Sequence, residues 1–166
     1  SYSSNKSNNM VRKILIPMDA SEHSYRALRW YADKMNNPAD SLIFAYIAEP
    51  PAITYGGAGV GSSELFAEGV NQAVARGKLM AAEVRQHCTE MGVKPQPRFL
   101  ERLTHGAGPA LVEIAEEQAV DVIVIGSRGL SALRRAFLGS VVDYVLQHAN
   151  TTTIVVPPPL PASSKE

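Results

Sequence analysis

The stretch Asp121–Val145, DVIVIGSRGLSALRRAFLGSVVDYV, decides the fold. It opens on the apolar run Val122-Ile123-Val124-Ile125 and stops abruptly at Gly126. A short β-branched run ended by glycine reads as a strand covered on both faces, as in a parallel sheet. Gly126, Gly129 and Gly139 then punctuate a basic segment, and Ser140 opens an amphipathic helix over Val141–Gln147. Glycines let a backbone approach a bulky anion closely and reach positive φ. A serine at a helix start leaves main-chain N–H groups pointing outward at the positive end of the helix dipole. Strand, glycine segment and helix start together describe a phosphate cradle.

Working outward, the same alternation of strand and helix recurs. Lys13-Ile14-Leu15-Ile16-Pro17 is a short apolar strand closed by proline, which cannot donate to a ladder. Ser21 is a good N-cap, with Glu22 in the first turn of a helix over Glu22–Met35. Its apolar stripe is Ala27, Leu28, Trp30, Tyr31 and Met35. Ser41–Ile47 is a second apolar strand. The segment Pro50–Ser63, rich in glycine and proline, reads as a loop too long for a compact α/β unit unless functional or mobile. Glu64–Met91 carries a long helical pattern with Leu65, Val70, Val74, Leu79, Met80 and Val84 as its apolar face and Gly92 as its C-cap. Pro97–Leu103 alternates and is expected at a sheet edge. Thr104–Pro109 turns into a helix reaching Gln118, and Thr152–Val156 is the last strand.

Strands alternating with helices mean an open parallel sheet with helices on each side. Ligands in such sheets sit beyond the carboxyl ends of the strands, where the strand order reverses. The glycine segment falls on that edge, with the loops Pro17–Ser21, Ile47–Ser63 and Thr104–Pro109.

Composition narrows the function. At 166 residues the chain is one domain's worth. We expect the domain over residues 11–157, between a disordered extension at 1–10 and a disordered tail at 158–166. Sixteen basic and sixteen acidic side chains cancel, so there is no electrostatic case for nucleic acid or an anionic membrane. No apolar run approaches the roughly 18–20 residues that span a bilayer. The single cysteine, Cys88, precludes an internal disulfide and suits a reducing compartment, so a cytoplasmic protein is expected. The four histidines show no metal-ligand spacing. Gly56–Gly61 misses the G-x-G-x-x-G spacing, and no P-loop or serine-hydrolase elbow is present.

Four segments in order, KILIPMDASEHSYRAL, DVIVIGSRG, LGSV and TTTIVVP, carry a resemblance over Val11–Pro157. With the spacing Gly126-x2-Gly129-x9-Gly139-Ser140, they resemble the ATP-binding branch of the universal stress protein family. The resemblance implies a three-layer α/β sandwich of the adenine nucleotide alpha hydrolase-like kind, with five parallel strands in the order 3-2-1-4-5. It implies ATP, ADP or AMP at the carboxyl edge, with Mg²⁺ as a companion that Asp19 reaches directly or through water. Gly126, Gly129, Gly139 and Ser140 would contact phosphates, with a further main-chain N–H from Val141. Pro17, Met18 and Asp19 would line the ribose and adenine side, and Ile47 would meet adenine through its backbone. Arg128 is the best placed of the loop arginines, as a phosphate ligand or as a solvated side chain. Asp19 is either a ribose acceptor or a helix cap. The family also implies a homodimer through Thr152–Val156, a β-branched edge strand open to its copy. The reading is a nucleotide-dependent homodimeric switch or sensor. Its rivals are a slow ATP hydrolase, with Glu101 or His105 near the γ-phosphate, and a partner-binding module without nucleotide.

Overall fold

The computed structural model describes residues 11–50, 61–128 and 139–159. Both expected polar extensions lie outside it, apart from residues 158–159, as do most of the Pro50–Ser63 loop, Gly129 and the arginines Arg134 and Arg135. The elements run β1 (Lys13–Pro17), α1 (Glu22–Lys34), β2 (Ser41–Ala48), α2 (Gly61–Glu90), β3 (Arg98–Leu103), α3 (Ala107–Glu117), β4 (Val122–Gly126), α4 (Ser140–His148) and β5 (Thr152–Val156). The five strands form one parallel sheet in the order β3-β2-β1-β4-β5, as expected.

Period-two alternation within the strands divides the core. Ile14 and Ile16 of β1 face α1 and α2, together with Leu42, Phe44 and Val124. Leu15, Ile43, Ile123 and Ile125 face α3 and α4. Every central strand is therefore apolar on both faces, as burial between two helical layers requires. Strand order reverses between β1 and β4: β1 leads into α1 on one face and β4 toward α4 on the other. That divergence opens a crevice at their carboxyl ends.

The local signals are mostly where expected. Ser21 caps α1, its Oγ accepting from the Ser24 N–H at 3.3 Å. Gly92, at φ +66°, ends α2. Its N–H donates to the Thr89 carbonyl and that of Val93 to Cys88, the paired bonds of a Schellman motif. β3 and β5 are the sheet edges.

The long helix differs from expectation. It starts at Gly61 rather than Glu64, and its buried stripe is Ala73, Gly77, Met80, Val84 and Cys88. Leu65 and Leu79, expected in the core, are 69% and 67% exposed, and Val74 is also exposed. The seam is a narrow stripe that includes the small residues Ala73 and Gly77. At Gly77 the Glu101 carboxylate of β3 occupies the space a Cβ would take. Cys88 is a buried hydrophobe, and burial pushes its thiol up to about 11.

Candidate functional site

A cleft of about 540 Å³ opens at the carboxyl ends of β1, β2 and β4. That is within the range of small-molecule sites. Pro17, Met18, Asp19, Ile47, Gly126, Arg128, Gly139, Ser140 and Val141 all line it. Gly129 lies outside the described residues. Glu101 and His105 are not among the lining residues, and Glu101 packs instead beneath α2.

One wall is apolar, from Ala45, Ile47, Leu111 and Ile125. Met18 contributes to the lining, although its side chain is buried with the α1–α2 core. Hydrophobic lining of this kind suits an aromatic ring more than a charged group.

The polar part of the lining belongs to two helix starts. Asp19 is exposed, and its Oδ1 accepts from Ser21 Oγ at 2.5 Å and from the Ser21 N–H at 3.0 Å. Partial burial pulls its pKa upward, but the hydrogen bonds from Ser21 outweigh this and hold it below the ordinary carboxylate value. Asp19 thus braces the capping residue without being the cap. Between them Ala20 sits at φ +61°, a conformation that turns the chain sharply out of β1 and costs about 1 kcal/mol for a residue with a Cβ.

At α4 the cap is Gly139, and Ser140 is the first helical residue. This corrects the expected helix start at Val141. Gly139 is at φ +101° and ψ 140°, where only glycine is at ease, and the space its Cβ would fill is open. With glycine as the cap, no side-chain cap bond reaches the first-turn amides among the described residues. Those N–H groups, at the positive end of the helix dipole, are available to an anion.

Gly126 is demanded by something the sequence did not show. A Cβ there would lie 1.9 Å from the His23 carbonyl oxygen, so the α1 backbone rests directly on the end of β4. Ser127 follows, 1% exposed, with its N–H donating to the Val156 carbonyl at 3.0 Å. Its carbonyl accepts from Arg26 Nη2. His23, Ser21 and Ser24 also line the cleft, and none of them belongs to the glycine signature. The only hint of them in sequence was their place in the first turn after β1.

Among the described residues, no group of three or more His, Cys, Asp or Glu side chains is placed to hold a metal ion. Nor is any helix among them long and apolar enough to cross a membrane.

A profile of the universal stress protein family matches residues 10–157. The chain belongs to that family. Universal stress protein MJ0531 of Methanocaldococcus jannaschii is 30% identical over 151 residues, covering 91% of this chain and 85% of the relative. The solved structure of MJ0577 is 25% identical with a TM-score of 0.70, covering 92% of this chain and 99% of that one. A universal stress protein family protein from Arabidopsis thaliana, solved with AMP bound, has a TM-score of 0.61 at 17% identity and covers 92% of this chain and 97% of that one. At that identity the likeness concerns the fold alone.

Proposed function

We propose that this universal stress protein binds an adenine nucleotide in the carboxyl-edge cleft, ATP foremost and ADP or AMP through the same contacts. The bound nucleotide sets the state of a homodimeric, cytoplasmic stress-response switch. The observation that carries this reading is the pairing, across one cleft, of an uncapped helix start at Gly139–Ser140 with the Asp19 carboxylate. The first suits phosphate oxygens and the second suits ribose hydroxyls. The apolar wall of Ala45, Ile47 and Leu111 supplies the place for a base. The AMP bound to the Arabidopsis relative supports the same class of ligand.

These residues fit a nucleotide held by backbone amides. Gly126, Gly139, Ser140 and Val141 would hold phosphates, with Gly129 and Arg128 beside them. Asp19 would orient the ribose and face a Mg²⁺ that accompanies the phosphates. Ordering of the glycine segment by such contacts is how a ligand shifts a population. β5 is an edge strand with Val155 only half-buried, which supports pairing with a second copy. Hydrolysis is the weaker reading, because neither Glu101 nor His105 lines the cleft.

The test is direct. Freshly purified protein is denatured and the released small molecules are chromatographed against ATP, ADP and AMP. Mg-ATP is then titrated calorimetrically into wild type and Gly139→Ala, with sedimentation before and after. We expect a recovered adenine nucleotide, a dimer, and at least tenfold weaker binding in the variant. Recovered ADP with turnover would shift the reading to a hydrolase. No nucleotide and no binding heat would leave a partner-binding module.

A further inference from the structure

Two residues outside the glycine signature meet at the opening of the phosphate segment. Arg26 Nη2 lies 3.0 Å from His23 Nδ1 and also donates to the Ser127 carbonyl, 101 residues away in sequence. A guanidinium carries only donors and stays charged at every accessible pH. His23 Nδ1 must therefore be the acceptor in this contact. An imidazole that accepts at Nδ1 is neutral and keeps its one proton on Nε2. The contact thus selects a tautomer. Nη2 has two hydrogens, and the two acceptors use both. Arg26 Nε is buried with no hydrogen-bond partner, so the bonds this guanidinium makes among the described residues are aimed at His23 and Ser127.

Both acceptors are locked at the same place. The His23 carbonyl fills the space beside Gly126, and Ser127 is held on its other side by the Val156 carbonyl. His23 lines the cleft together with Gly126 and Arg128. We propose that Arg26 is a positioning residue that fixes His23 as a neutral Nε2–H donor to a phosphate oxygen of the bound nucleotide. The proposal rests on the nucleotide reading of the cleft. It assigns His23 a recognition role in which an oriented dipole, not a charge, meets the phosphate. A purely structural Arg26, stapling α1 to the end of β4, would fix the same tautomer but would not make AMP affinity depend on it.

The experiment has two arms. Long-range proton–nitrogen spectra of the histidine rings are recorded on nucleotide-free protein, with His23→Gln assigning the resonance. The expected pattern for His23 is the neutral Nε2–H form in wild type and a mixture of tautomers in Arg26→Met. A wild-type ring protonated at Nδ1 overturns the proposal whether or not the cleft binds nucleotide. In the second arm, adenosine and AMP are titrated into wild type, His23→Phe, Arg26→Met and Arg26→Lys, each checked for cooperative thermal unfolding. His23→Phe is expected to weaken AMP about tenfold and leave adenosine unchanged. Arg26→Met should weaken AMP similarly, and Arg26→Lys, which keeps a donor, should restore part of the loss. His23→Ala takes the place of His23→Phe if the larger ring unfolds the protein. Equal effects on both ligands, or none on either, overturn the phosphate role while the nucleotide reading stands. Wild type that binds neither ligand overturns both, even with the tautomer as expected.

Discussion

Asp40 lies at the amino end of the sheet and Asp19 at the carboxyl end, and their surroundings are opposite. Asp40 is buried, and both of its oxygens are occupied. Arg12 Nε donates to Oδ1 at 2.9 Å, while Arg12 Nη2 at 2.8 Å and Tyr31 Oη at 2.7 Å donate to Oδ2. The same guanidinium reaches the Met35 carbonyl that ends α1. The hydrogen bond that Arg12 donates to Asp40 holds the Arg12 pKa up, and burial first, then Asp40, raises that of Tyr31. Asp19 instead stands exposed, with both Ser21 bonds on one oxygen. One end of the sheet uses up its polar capacity in holding the fold. The other keeps capacity in reserve, and a ligand site needs that reserve.

The comparison breaks most visibly at Asp40. Asp40→Ala leaves the buried Tyr31 hydroxyl without its acceptor and Arg12 without its partner. We expect a loss of about 3 kcal/mol in urea unfolding, kept below the full cost of a buried pair because Arg12 is 38% exposed. Nucleotide affinity of the folded fraction should not change. A loss under about 1 kcal/mol would mean that the amino end is not where the fold is held.

Gly126→Ala probes the boundary between the two roles, because its Cβ would strike the His23 backbone at the cleft itself. We expect about 2 kcal/mol of destabilisation from overpacking. Unlike Asp40→Ala, it should also lose nucleotide binding in whatever fraction folds. A stable variant that binds normally would show that the contact between α1 and β4 does not shape the site.

Asp19 should give the smallest effect, present at neutral pH and fading in acid. Its folded pKa lies below the ordinary carboxylate value, so the ionised form favours the folded state. That contribution is complete above the ordinary value and is lost as pH falls through it toward the folded one. Asp19→Asn, which keeps an acceptor for Ser21 but cannot ionise, should flatten this acid limb in a series of thermal unfolding curves by lowering neutral-pH stability slightly and converging on wild type in acid. A limb of undiminished slope would assign the acid sensitivity to other carboxylates.

Much of this architecture is visible in local sequence. The apolar runs at Ile14–Ile16, Leu42–Ala48 and Val122–Ile125, each ended within two residues by proline, charge or glycine, are strands because no other element buries both faces of so short a run. Ser21 and Gly92 mark helix ends through chemistry that acts within a few residues. The spacing from Gly126 to Ser140 is likewise a chain-local pattern, and its described members do line one cleft.

Other features depended on surfaces that meet only in the folded molecule. The α2 pattern put bulky Leu65 and Leu79 on the expected core face, yet Ala73 and Gly77 are buried in their place, and at Gly77 the Glu101 side chain leaves no room for a Cβ. The glycine at position 126 looked like an opening for an anion, but the α1 backbone is what excludes a side chain there. The link from Arg26 to Ser127 joins residues 101 apart, and no periodicity in the chain encodes it. Sequence alone determined the elements, their order and the family, since these follow from propensity and pattern over short stretches. Which faces touch, and which polar atoms remain free for a ligand, was decided only by tertiary packing. Those outcomes depend on shape complementarity between elements that are distant along the chain.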